Sequence, residues 1–228
     1  MKNCRFLSAA LALLCGVILL ASCAPPQKKA TPRVGVIYID AGHGGFDTGA
    51  VGVMANGECV KEKDIALDIT RQVGAALEEM GYTVLYARAG DERLTYTTAR
   101  DEVIARRAAA EAAGVDLFLS IHGNAYAGAG RAFGARVYYN PESEGSEGAA
   151  RTLATAVTEH TGAPLGRDCA AVADGSYYVL ANPALPALLF EAGFLSDSEE
   201  LALLATPDYR AALAAALCRA VDQILSAS

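Results

Sequence analysis

The stretch VGVIYIDAGHGG, residues 34–45, decides how the rest of the chain is read. Val34 to Ile39 is a short apolar run rich in β-branched side chains, which reads as a buried strand. It stops at Asp40, and His43 follows among Gly42, Gly44 and Gly45. The whole chain has only 3 histidines, so one at the mouth of a strand needs a reason.

Working outward, helical and extended patterns alternate. Glu62 to Met80 carries Ile65, Ile69, Val73, Ala76 and Leu77 at three-to-four-residue spacing, and Gly81 ends that helix. Tyr82 to Tyr86 reads as a strand, Leu94 to Ala113 as a helix closed by Gly114, and Val115 to Ile121 as a continuous apolar strand. Ala135–Tyr139 is expected to be a strand, 149–161 a helix, and Tyr177–Leu180 and Ala187–Phe190 short strands. Asp197–Leu204 and Asp208–Leu225 close the chain as helices. This alternation predicts a single α/β domain with a mostly parallel, mixed sheet covered by helices on both faces.

Residues 1–33 have a different character. Lys2 and Arg5 precede an apolar run from Phe6 to Ala21, the layout of a secretory signal peptide over residues 1–22. The run ends in Leu20-Ala21-Ser22-Cys23, which resembles the lipobox of bacterial lipoproteins. That resemblance implies cleavage before Cys23 and lipidation of Cys23, so that the rest is held at a membrane surface outside the cytoplasm. Residues 23–33, with Pro25, Pro26, Lys28, Lys29 and Pro32, then read as a tether, and 34–228 as the folded domain. If two membranes are present, Ala24 after Cys23 favours the outer one.

The chain carries a net charge of −7, and losing Lys2 and Arg5 with a signal peptide makes it more acidic still. No basic cluster is present, which argues against nucleic acid as a partner. Three cysteines lie in the expected domain, Cys59, Cys169 and Cys218, too few for a disulfide framework although one bridge is possible, and no CxxC pair suggests a redox site.

In open α/β sheets ligands collect beyond the carboxyl ends of the strands. His43, His122 and Glu191 each follow a predicted strand, and Glu62 opens the helix after the first strand's loop. Two imidazoles and a carboxylate form one of the known ligand sets of catalytic zinc, with a position left for water. A further carboxylate can act as general acid and base. Unlinked polar residues at strand ends are the alternative. His160, at the end of a polar helix, reads as a solvated residue. Glu58 competes with Glu62 as a ligand. Asp40 is expected either to bond a ligating imidazole or to cap its loop. Asn124 is expected either to touch substrate or to brace the His122 loop.

Four segments carry a resemblance: IDAGHGGFDTGAVG (39–52), EKDIAL (62–67), LFLSIHGNA (117–125) and PALLFEAGFLSDSEE (186–200). Together, and in this order, they resemble the zinc-dependent N-acetylmuramoyl-L-alanine amidases of the amidase-3 family over about residues 34–225. The resemblance implies a phosphorylase/hydrolase-like fold, one zinc ion on His43, Glu62 and His122, Glu191 as the catalytic acid and base, and peptidoglycan as the substrate. A zinc peptidase of the same fold and a non-catalytic peptidoglycan-binding lipoprotein are the alternatives. The chain departs from the family's pattern at Ala87-Arg88, at Arg106 to Ala110 where an asparagine is usual, and at Phe190, departures that bear on the shape of the substrate groove. The stretch between His160 and Pro186 is broken by Gly162, Pro164, Gly166 and Gly175. No long autoinhibitory helix is expected there, and no activating partner.

Overall fold

The computed structural model describes residues 34–92, 98–128 and 131–227. Its centre is a six-stranded sheet built from β1 (Val36–Ala41), β4 (Thr83–Tyr86), β5 (Leu117–Asn124), β6 (Arg136–Tyr139), β7 (Ala170–Ala173) and β8 (Ala187–Phe194). The order is β4-β1-β5-β8-β6-β7, and a separate hairpin pairs β2 (Val51–Val53) with β3 (Cys59–Lys61). Every neighbouring pair in the large sheet is parallel except β6 with β8. The mixed sheet follows from that single reversal.

The strand side chains alternate between two unequal layers. Ile37, Ile39, Leu117, Leu119, Ile121, Leu188 and Phe190 point into the larger core. It is shared with helices α1 (Glu62–Glu79), α3 (Ser146–Thr161) and α5 (Pro207–Ala227). Tyr38, Phe118, Tyr138 and Leu189 point the other way, against α2 (Ala99–Ala113) and Val179-Leu180. Tyr38 and Phe118 are register partners whose rings meet edge to face at 5.7 Å. A short helix, α4 (Ser198–Leu204), follows β8.

Three expectations change. Tyr177–Leu180 is not a strand: Tyr178–Leu180 forms a 3-10 turn. The edge of the sheet is taken by β7, and the Asn140 side chain donates to the Leu180 carbonyl, so this segment plugs the thin layer instead of extending a ladder. Second, β7 and the β2–β3 hairpin appear where no strand was expected. Third, β5 and β8 run on past Ile121 and Phe190, to Asn124 and Phe194. Helix α2 starts at Ala99, capped by the Thr98 hydroxyl, and the expected start at Leu94 lies outside the described residues. Phe190 is fully buried in the larger core, on the sheet face away from the site described next.

Candidate metal centre

The pleat sets the site. Asp40 shares its face of β1 with Tyr38, Ser120 and His122 share theirs with Phe118, and Glu191 shares that of Leu189. Asp40 pairs with Ser120, and His122 with Glu191, across adjacent parallel strands. All four therefore rise on the thinly covered face, at the carboxyl end of the sheet. They line one cleft of about 310 Å³, together with His43, Glu62 and the Tyr177–Val179 turn.

Glu62 is the first residue of α1 and is buried. Its Oε1 lies 2.9 Å from His43 Nε2 and 2.8 Å from His122 Nδ1. The Ala50 N–H donates to Oε2 at 2.8 Å and the Gly123 N–H to Oε1 at 3.2 Å, so two backbone groups orient the carboxylate. The ligand atoms of His43, Glu62 and His122 all fall within 4.8 Å of one another. Two nitrogens and one carboxylate oxygen converging on one point suit a zinc ion. Space around them is tight for the same reason. A Cβ at Gly42 would stand 2.3 Å from His122 Cε1, and one at Gly49 would stand 2.5 Å from Glu62 Oε2.

The second His43 nitrogen, Nδ1, is 2.9 Å from Asp47 Oδ2. Both ring nitrogens face carboxylate oxygens, an arrangement that favours the charged, doubly protonated ring. Burial works against that charge, but Glu62 and Asp47 outweigh it and raise the His43 pKa to about 9. Against its burial, hydrogen bonds and charge from His122 and His43 hold Glu62 well below the usual carboxylate range. Glu191 behaves oppositely. Burial, helped by the nearby Glu62 charge and offset in part by His122, pushes it up to about 7. Its Oε2 has no hydrogen-bond partner among the described residues. That is a carboxyl poised to gain or lose a proton near neutrality.

The family profile described as N-acetylmuramoyl-L-alanine amidase matches residues 37–223. The chain belongs to the N-acetylmuramoyl-L-alanine amidases of the amidase-3 family. It is 36% identical over 210 residues to the Bacillus subtilis (strain 168) protein YqiI, covering 92% of this chain and 93% of that one. It is 31% identical over 180 residues to the N-acetylmuramoyl-L-alanine amidase LytC of the same strain, where the match covers 78% of this chain but only 33% of LytC. Among solved structures, the CwlD amidase from Clostridioides difficile, in complex with the GerS lipoprotein, superposes with a TM-score of 0.74 at 27% identity. That match covers 86% of this chain and all of CwlD.

Other residues singled out from this amidase's sequence divide. Asp40 does not reach an imidazole: its carboxylate accepts from Arg106 at 2.9 Å and from the Ser120 hydroxyl at 2.8 Å. Asn124 accepts from the Ala125 N–H with its side chain and lies at the cleft. Glu58 sits exposed in the β2–β3 turn, bonded to Asn56, away from the cluster. His160 is exposed in the last turn of α3. Cys59, Cys169 and Cys218 are all free thiols. Asp47 was missed, although it stands four residues after His43 in the same glycine-rich loop. Arg136 was missed too; it is the register partner of Glu191 on β6, with its guanidinium over the Phe194 ring.

Proposed function

We propose that this amidase binds one zinc ion through His43, Glu62 and His122 and uses Glu191 to hydrolyse the amide between N-acetylmuramic acid and L-alanine in peptidoglycan. The observation that supports it is the meeting of His43 Nε2, His122 Nδ1 and Glu62 Oε1 beside a buried carboxyl with an unpartnered oxygen. When bound, the ion supplies Lewis acidity that polarises the scissile carbonyl and lowers the pKa of water.

The residues do the rest. Asp47 keeps the proton on His43 Nδ1, which leaves Nε2 free to ligate. The Ala50 and Gly123 N–H groups hold the Glu62 carboxylate in its orientation as substrate enters. Glu191 takes a proton from the attacking water and delivers it to the L-alanine nitrogen as that bond breaks, so one carboxyl serves as base and then as acid. Tyr177, Tyr178 and Val179 line the same cleft and limit water around the reacting amide.

The reading extends to the N-terminus. Residues 1–22 serve as signal peptide, Cys23 carries lipid and residues 24–33 tether the domain, placing it on a membrane outside the cytoplasm where its substrate lies. Loss of an alkyne-palmitate label in Cys23→Ser would support that arrangement, and retention of label would refute it. The activity is tested by incubating the purified protein and zinc with peptidoglycan and analysing products by mass spectrometry. Stem peptides beginning at L-alanine, absent with a chelator, support the proposal. Products cut within the stem peptide would instead favour a peptidase on the same fold.

A further inference from the structure

Two arginines that the cleft never exposes converge on the backbone that carries His43. Arg88 and Arg106 are each only 3% exposed. Arg106, on α2, donates through Nη1 to Asp40 Oδ1 and to the Ala41 carbonyl, both at 2.9 Å. Through Nη2 it donates to the His43 carbonyl at 2.7 Å and to Glu102 Oε1 at 2.5 Å. Arg88 donates from Nε to the same Ala41 carbonyl at 2.9 Å. Its Nη2 bridges the Gly42 and Lys63 carbonyls, each at 2.8 Å, and its Nη1 reaches the Gly90 carbonyl at 2.8 Å. The carbonyls of residues 41, 42 and 43 thus all end on guanidinium groups.

The backbone they hold is unusual. His43 has φ 60°, one of three non-glycine residues with positive φ among those described. A side chain in that region is strained and persists only where its surroundings over-determine it. The His43 carbonyl is fixed by Arg106, the Gly42 carbonyl by Arg88, and the Ala41 carbonyl by both. The Arg88 bridge adds a second constraint. One nitrogen joins the carbonyls of Gly42 and Lys63, the neighbours of His43 and Glu62 in sequence, and so sets the distance between the two segments that carry them. A lysine ammonium, a compact point charge on a flexible stem, cannot reproduce either planar fork.

We infer that Arg88 and Arg106 form a clamp of positioning residues, holding His43 in its left-handed backbone and in register with Glu62 so that the three ligand atoms are preorganised before any ion arrives. This rests on the metal-site reading above. It extends beyond the ligands to cations that touch neither ion nor substrate.

The test uses the purified protein and the variants Arg106→Lys, Arg88→Lys and Arg167→Lys. Arg167 is the control: it is largely buried in an ion-pair network with Asp197, Glu199 and Glu200. Zinc affinity is measured by chelator competition, and the geometry by the visible absorption of the cobalt-substituted protein. The clamp predicts a 10- to 100-fold loss of affinity in both clamp variants, the range of outer-shell partners, with a changed cobalt spectrum. Arg167→Lys should lower thermal stability and leave both readouts unchanged. Wild-type affinity and spectrum in folded Arg106→Lys and Arg88→Lys would overturn the clamp while leaving the ligand assignment intact. No tight binding by the wild type, or binding insensitive to His43→Ala, would overturn both. If a lysine variant does not fold, Asp40→Asn loosens the Arg106 anchor with almost no change of shape; a wild-type affinity and spectrum there also overturns the clamp.

Discussion

His122 and Glu191 face each other as register partners on neighbouring parallel strands. Strand spacing alone therefore holds the proposed acid and base beside a proposed ligand without making it one. Glu191→Gln keeps the shape and removes the proton transfer. Turnover of peptidoglycan should fall by about 10²- to 10⁴-fold, the usual worth of a general acid–base group. Bound zinc, measured by elemental analysis, should remain at one per chain. Near-normal turnover would remove Glu191 from the chemistry, and loss of zinc would make it a ligand.

Asp47 is the only described side chain seen bonded to His43 Nδ1. Asp47→Asn replaces a strong acceptor by an amide and weakens the tautomer that leaves Nε2 free to ligate. Zinc affinity should drop by about 10- to 100-fold with little change in folding stability. The check is a chelator-competition titration alongside thermal melts of the metal-free protein. An unchanged affinity would mean that Asp47 only closes the loop.

Much of this candidate site was legible because its proposed ligands sit where simple patterns end. β1, β5 and β8 each open with an apolar run, residues 36–39, 117–119 and 187–190, and α1 has clean helical spacing from Glu62. Side-chain alternation then puts His122 and Glu191 on the same face. The rest depended on contacts between distant segments. Arg88 and Arg106 act on backbone carbonyls, and nothing in the local pattern of β4 or α2 says where those carbonyls are. Asp40 looked like a partner for a histidine because it is near in sequence, yet Arg106, 66 residues away, holds its carboxylate. The β2–β3 hairpin did carry a signal, Asn56-Gly57 between Val53 and Val60, but strands of three residues are too short for alternation to register.

Metal stabilisation should depend on pH with a definite sign. In the metal-free protein His43 is raised from about 6.5 to about 9. Its protonated ring contributes stability that is fully present below about pH 6.5 and is lost as pH rises through 9. Zinc needs the neutral ring, so it competes with that proton. The rise in melting temperature on adding zinc should be small at pH 6 and grow steadily to pH 8.5. Calorimetry in buffers of different ionisation enthalpy should detect proton release on binding at pH 7. A zinc-induced shift that is flat across this range would mean that His43 is not a ligand.

Beyond β8, Asp197 ties the strand that carries Glu191 to the helix that follows. Its Oδ1 accepts from the Glu199 and Glu200 N–H groups, both at 3.1 Å, and caps α4. Arg131 and Arg167 also donate to this carboxylate. The cap places Glu200, which accepts from the Phe194 N–H at 2.7 Å and the Gly134 N–H at 2.6 Å, so the end of β8 is fixed by a carboxylate that Asp197 positions. Asp197→Ala removes an N-cap, worth about 1 kcal/mol. It also takes one of three carboxylates from Arg167, which keeps Glu199 and Glu200. Burial works to raise the Asp197 pKa, but Arg131, the Glu200 N–H and Arg167 lower it from 3.8 to about 2. A depressed carboxylate contributes stability above its unfolded pKa and loses it as pH falls towards the folded value. The stability gap between wild type and Asp197→Ala, read from urea unfolding, should be constant from pH 7 to pH 5 and narrow below pH 4. A gap that stays full at pH 2.5 would show that the ion pairs contribute little and that packing at the start of α4 carries the effect.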